Sequence, residues 1–302
     1  MGTATGDGRG ALTGHMVRAE RALREHLGVV DVVWEVADAR CPGASRNPRL
    51  RRLCAGKPAV LVLSKADLAE EDVTRRWIAR LRAEQVTVAI DLRSGDEIMN
   101  VLWSATRSAL EPARTGQRPH ETCRAMVVGI PNTGKSTLLN RATGGRHAAV
   151  GAAPGVTRGP QWVRLPQGGQ VLDLPGVMAP RLSGWAVIWR LWAIGALGAQ
   201  AVDAETAGGS LCEWIQTRHP RTLEGRYGIA EREMRDGSAG LAAIAVRRGL
   251  LSAGGVPDGN RAAAALLADF RRGLLGAVTL EVPADPIREG DGSTERGEAA
   301  RP

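Results

Sequence analysis

The stretch Gly129-Ile130-Pro131-Asn132-Thr133-Gly134-Lys135-Ser136 is built to hold a run of phosphates. It has the spacing G-x-x-x-x-G-K-[ST]. It follows an apolar run (Met126-Val127-Val128) and leads into Thr137-Leu138-Leu139-Asn140, the strand-then-helix setting that this chemistry needs. The glycines let backbone N–H groups curl around a β-phosphate, and a helix N-terminus adds positive potential. Lys135 reaches the β- and γ-phosphates, and the Ser136 hydroxyl ligates Mg²⁺. Thr133, Gly134 and Thr137 complete the cradle. Lysine is rare in this chain: of 40 Lys plus Arg, only Lys57, Lys65 and Lys135 are Lys.

A phosphate loop says nucleoside triphosphate and leaves the base open. Ser64-Lys65-Ala66-Asp67 follows the apolar run 59–63, at the carboxyl end of a strand, where ligands bind in open α/β sheets. It resembles the N/T-K-x-D guanine signature of GTPases. The Asp67 carboxylate accepts from guanine N1–H and the exocyclic amine, a donor pair that adenine lacks. The Lys65 stem lies along the base. Asp173-Leu174-Pro175-Gly176 supplies D-x-x-G. Its Asp holds Mg²⁺ through water, and the Gly176 amide meets the γ-phosphate. Between them, Thr157 in a glycine-rich stretch suits a switch loop that closes on Mg²⁺ when the γ-phosphate is present.

These motifs need rigid elements behind them. Helical spacing marks 15–27, 71–84 and 97–110. Short apolar runs mark strands at 29–36, 59–63, 86–90, 125–128 and 171–174. Strands alternating with helices predict an α/β fold with a mostly parallel sheet and helices on both faces. From 183 to 282 the pattern turns Ala/Leu/Trp-rich and helical, with Trp185, Trp189 and Trp192 on one face, read as core. We expect an α/β nucleotide-binding domain at 11–182, with a polar linker candidate at 111–121. A small all-helical domain is expected at 183–282 and a disordered tail at 283–302.

The length, 302 residues, suits about two domains. A net charge of +8 and a pI of 10.3 favour an anionic partner, and the basic excess lies in the α/β half. Arg40, Arg46, Arg49, Arg51, Arg52 and Lys57 form a candidate phosphate-contacting set for RNA. The pairs Arg247-Arg248 and Arg271-Arg272 fall near helix ends. Four scattered cysteines make no zinc or disulfide pattern. Residues 185–202 carry Arg190 and two glycines, which reads as a buried helix and not a membrane span. No obligate oligomer is implied.

The motif order is permuted: the guanine signature at 64 precedes the phosphate loop at 129. Together with Gly14-His15-Met16, Asp38-Ala39-Arg40, Ser45-Arg46-Asn47-Pro48, Gln161-Trp162 and Arg226-Tyr227-Gly228, this order resembles the ribosome biogenesis GTPase A (YlqF-type) family of circularly permuted GTPases. The resemblance spans about residues 11–282. It implies a cytoplasmic GTPase that uses GTP and Mg²⁺ and acts late in assembly of the large ribosomal subunit, on a precursor particle and its rRNA. It also implies that His15 is catalytic, because Val177 stands where many GTPases carry a water-orienting Gln. Alone, an N-terminal His reads as solvated. Asn132 either coordinates K⁺ between the phosphates, as the resemblance implies, or stabilises the turn. Two departures bear on function. Ser64 stands where the family has Asn, whose amide ties this loop to the phosphate loop; Ser is shorter with one hydroxyl, which predicts weaker nucleotide affinity. Asp91 and its neighbours do not match the base-backing motif. Two other readings compete: a GTP-gated RNA-binding module with negligible turnover, and a P-loop enzyme acting on a small molecule.

Overall fold

Strand β1 (Val32–Asp38) is buried at every position, as a strand covered on both faces must be. The computed structural model describes residues 8–93, 97–113, 123–145, 160–166, 168–176 and 184–283. Thr157, Val177, most of the 111–121 linker candidate and the tail beyond 283 lie outside the described residues. So do the side chains of residues 8–16.

With β1 stand β2 (Ala59–Ser64), β3 (Val86–Ile90), β4 (Arg124–Val128), β5 (Gln161–Arg164) and β6 (Gln170–Asp173), in the order β3-β2-β1-β4-β6-β5. Every pairing is parallel except β5 with β6. From β1 the chain moves outward through β2 to β3. It then enters β4 on the other side of β1, and β6 and β5 follow. The crevice at the carboxyl ends of β1 and β4 is therefore the topological switch point, where open α/β sheets bind ligands. The loop after β4 is the glycine-rich one.

Helices cover both faces. Val32, Trp34 and Val36 pack against Leu102 and Trp103 of α4 (Glu97–Leu110) and Leu138 of α5 (Lys135–Ala142). The alternate residues face the other way. Val33, Met126 and Leu172 meet Leu23 of α1 (Gly8–Leu27) and Leu50 of α2 (Pro48–Leu53). Ala37, Leu61 and Leu63 meet Val73 and Trp77 of α3 (Glu71–Leu81). Trp34 is fully buried; its indole N–H donates to Thr106 Oγ1 at 3.0 Å, and it meets Trp103 edge-on. The edge strand β5 is missing from the sequence expectations. It is mostly exposed, so it has no apolar run to read.

The C-terminal part is helical: α6 (Trp185–Ala193), α7 (Ala204–Arg218), α8 (Pro220–Tyr227), α9 (Gly237–Arg248) and α10 (Gly259–Arg272). Asp203, Asp236 and Asp258 cap α7, α9 and α10 by accepting from backbone N–H groups. Trp189 and Trp192 join the core as expected, but Trp185 does not: it is 43% exposed and donates to Ser210 Oγ. Among the described residues no helix is long and apolar enough to cross a membrane.

Glycine lets α7 and α9 touch backbone to backbone. A Cβ on Gly237 would sit 2.1 Å from the Gly209 carbonyl oxygen, and one on Gly240 would sit 2.4 Å from Cys212 Sγ. Relief requires the helices to separate. Gly237→Ala is therefore expected to destabilise the protein by about 1–3 kcal/mol. Gly225→Ala, in α8 with nothing within 4 Å, is the control and should be neutral or slightly stabilising. Urea unfolding of both variants decides the point; equal midpoints would sink it.

The helical part returns to the sheet through residues 278–281. Leu280 N–H donates to Arg40 O at 2.6 Å, and Val278 N–H to Leu68 O at 3.1 Å. The Glu281 carboxylate accepts from Gly43 N–H and Ala44 N–H. Ile130 of the glycine-rich loop and Cys41 belong to the same apolar cluster as Trp192 and Phe270. The helical part thus touches the loops at the switch point.

Candidate nucleotide site

The phosphate loop runs from the end of β4 into α5. Gly129 has φ +150, and a Cβ there would meet the Val36 carbonyl oxygen at 2.4 Å, so only glycine lets the loop pass β1. Asn132 holds a left-handed backbone with φ +61, and Gly134 caps α5 with φ +95. Thr133 Oγ1 donates to Ile130 O at 2.9 Å, which tightens the turn. Ser136 and Thr137 stand in the first turn of α5, both partly buried.

Lys135 is buried, and its ammonium donates to Ile130 O at 2.7 Å. Burial pushes its pKa down to about 8, against the opposing pull of Asp173. Phosphate charge beside it would raise that pKa again. Asp173, at the end of β6, is raised by its own burial and held back by Lys135. Its Oδ1 is buried with no hydrogen-bond partner among the described residues. Gly176 brings D-x-x-G against the loop, since a Cβ there would lie 3.0 Å from both Lys135 Nζ and Pro131 N.

Residues 64–67 meet this loop directly. Ser64 Oγ stands 2.5 Å from Thr133 O, within donor reach, and 3.1 Å from Ala37 O. Serine reaches the phosphate loop because Gly134 carries no side chain: a Cβ there would lie 3.2 Å from Ser64 Oγ. Lys65, with φ +57, donates from Nζ to Asn132 O and to Asp38 Oδ2, each at 2.8 Å. Asp67 follows in the 3₁₀ turn Ala66–Leu68 and accepts from Arg93. The Asn132 side-chain amide donates to Gly195 O at 2.5 Å, just past α6, which makes it a link to the helical part.

Sequence reasoning gave Asp38 no role and gave Arg40 only a place in the phosphate-contacting set. The structure places Asp38 at the centre of the site's support. It accepts from Arg40 Nε at 2.9 Å, Arg40 Nη2 at 2.8 Å and Lys65. Burial alone would raise the Asp38 carboxyl, but these two cations hold it well below the usual range. Arg40 in turn lies over the Phe270 ring at 4.6 Å. Its position at the end of β1, beside the later lysine, was the available signal.

The proposed phosphate-contacting set is corrected in part. Arg40 and Arg46 are buried in ion pairs with Asp38 and Glu35. Lys57 is half-buried and donates to Val30 O. Arg49 and Arg51 pair with Glu20 and Glu84 but keep about two-fifths of their side chains exposed, and Arg52 is exposed. His15 lies within α1, and Thr157 is outside the described residues.

A phosphate loop at the switch point, cross-bonded to a lysine–aspartate loop on the next strand but one, defines a P-loop nucleotide-binding protein of the α/β class. Residues 124–202 match the family model described as 50S ribosome-binding GTPase. The ribosome biogenesis GTPase A of Priestia megaterium is 31% identical, over 90% of this chain and 96% of its own. Among solved structures, GDP-bound TM YlqF superposes with a TM-score of 0.62 at 25% identity, covering 86% of this chain and 98% of that one. GNP-bound YlqF from Thermotoga maritima gives 0.62 at 26% identity, covering 89% and 99%. The chain belongs to the ribosome biogenesis GTPase A family.

Proposed function

We propose that this chain binds GTP in the switch-point crevice and hydrolyses it on a precursor of the large ribosomal subunit, late in assembly. The observation that carries the reading is the bonding of two distant loops: Ser64 to Thr133 O and Lys65 to Asn132 O. A base seated on Asp67 and phosphates seated on Lys135 are then parts of one site. The family's description as 50S ribosome-binding supplies the partner. In this reading the activity is cytoplasmic. Residues 11–182 form the GTPase domain in this reading. Residues 183–282 carry the RNA-facing helices, and 283–302 form a tail.

The residues also fit a divalent cation. Asp173 offers a buried oxygen without a partner, and Ser136 a hydroxyl at the start of α5. Mg²⁺, when bound, neutralises charge on the β- and γ-phosphates; Ser136 and Thr157 would hold it directly and Asp173 through water. Lys135 positions the phosphates. His15 accepts a hydrogen bond from water and holds it in line. The water oxygen bonds to the γ-phosphorus, the bridging P–O bond breaks toward GDP, and the water's proton ends on phosphate. Asn132 is the candidate K⁺ ligand through its carbonyl oxygen.

The test is GTP hydrolysis with purified large subunits, in K⁺ and in Na⁺, beside co-sedimentation. Subunits should stimulate turnover, and GTP should favour binding over GDP. Tight GTP-dependent binding without stimulation would leave a gated RNA-binding module. No binding would remove the ribosomal partner.

A further inference from the structure

Three charged side chains meet at the base end of the site, and only Asp67 has a role so far. Arg93, three residues past β3, donates from Nη2 to one Asp67 carboxylate oxygen. Its backbone N–H donates to Asp91 Oδ1 at 2.8 Å, and its Nε stands 3.9 Å from that same oxygen. Arg141 of α5 fixes this loop, donating to Leu92 O at 2.9 Å and Arg93 O at 3.0 Å. The backbone that carries the guanidinium is thus held by β3 on one side and by the phosphate-loop helix on the other.

An ionised carboxylate offers about four lone-pair sites. Arg93 takes one of them on one oxygen. A base edge with two N–H groups takes one on each oxygen, so both partners fit together. The difficulty for Asp67 lies elsewhere. Burial raises its carboxyl, neighbouring Asp91 raises it further, and Arg93 opposes both. Two adjacent carboxylates share a proton unless a cation sits between them. Among the described residues, Arg40, which feels the Asp67 charge, is bonded to Asp38, and Arg141 donates to the Leu92 and Arg93 carbonyls.

We propose that Arg93 is a positioning residue for guanine recognition, bridging Asp67 and Asp91 so that Asp67 stays ionised and aimed at the base. This rests on reading residues 64–67 as the guanine site. The sign follows from the acceptor. Protonated Asp67 loses a lone pair, so affinity is full above its pKa and falls as pH drops through it. Removing Arg93 raises that pKa and moves the loss to higher pH.

The experiment is equilibrium titration of the full chain with fluorescent mant-GDP from pH 8 down to pH 5, with thermal melts at each pH as the folding check. Arg93→Ala should bind about two- to fivefold more weakly at pH 8, the scale of an exposed ion pair. The deficit should widen as pH falls through the Asp67 pKa, by at most about a further tenfold for each unit by which that pKa rises. Arg93→Lys should recover part of it. Arg93→Ala/Asp91→Asn should recover most, because Asn still accepts the backbone N–H but removes the competing carboxylate. Arg93→Ala binding that equals or exceeds wild type, or a deficit that does not change with pH, overturns the bridge alone. A wild-type chain that melts cooperatively yet fails to bind mant-GDP overturns the guanine reading, and the bridge with it.

Discussion

His15→Ala is expected to lower subunit-stimulated GTP hydrolysis by about 10²–10⁴-fold, the usual contribution of one placed acid–base group. GTP affinity should change by less than about twofold, because the side chain acts on water and not on the nucleotide. The reason begins with Val177, which follows Gly176 where many GTPases carry Gln and cannot accept a hydrogen bond from water. Some other group must hold the attacking water in line. Phosphoryl transfer passes through a loose transition state, so the helper orients more than it abstracts, and a neutral imidazole suffices. His26 supplies the control. It lies on the same helix, contacts Ala22 O at 2.8 Å and tilts against Trp162, so His26→Ala removes an imidazole from α1 without touching the water. Single-turnover rates with large subunits present, measured for both variants, separate the two. Loss in His26→Ala of the same size, or none in His15→Ala, would remove His15 from the reaction.

Much of the α/β part was legible because its strands are short apolar runs and its helices carry one apolar face. Val86–Ile90 and Glu97–Leu110 match the sequence expectation at both ends. The misses are elements that leave no periodic mark in sequence. β5 is held by its ladder to β6 and needs no apolar residues of its own. α2 is six residues long and starts at a proline after an Asn cap, too short for a helical period to show. The site residues were legible where backbone geometry dictates their type, as in the phosphate loop. Their supports were not. Asp38 and Arg40 pair two residues apart, but they support the site through Lys65 and Phe270, and Arg93 acts through Asp67, all distant in the chain. A carboxylate or guanidinium reads the same whether it faces water or another loop. The misread arginines teach the converse: a basic cluster in sequence was partly an internal network, because Glu35 comes from β1 and Glu84 from the turn after α3.

Asp67→Asn should reverse the choice of base. Guanine presents N1–H and a 2-amine, two donors in a row, and a carboxylate answers both. An amide answers one. Its oxygen accepts from N1–H, but its nitrogen then faces the 2-amine, donor against donor. Xanthine keeps N1–H and carries a 2-oxo group, which accepts from that nitrogen. The loss for GDP combines an unpaired polar group with a vanished charge, together about 3 kcal/mol or roughly a hundredfold in affinity. The gain for the xanthosine nucleotide should be of similar size, since the same contact is satisfied where the carboxylate repelled it. Ser64 and Lys65 stay bonded to the phosphate loop in the variant, so phosphate binding is untouched and the change falls on the base alone. Arg93 keeps Asp91 as its partner, which limits any collapse of the loop. Competition titrations with GDP, XDP and ADP read all three preferences at once. A variant that loses GDP and XDP equally, with its melting temperature unchanged, would show that Asp67 does not face the base; a variant that still prefers GDP would place base recognition on another residue.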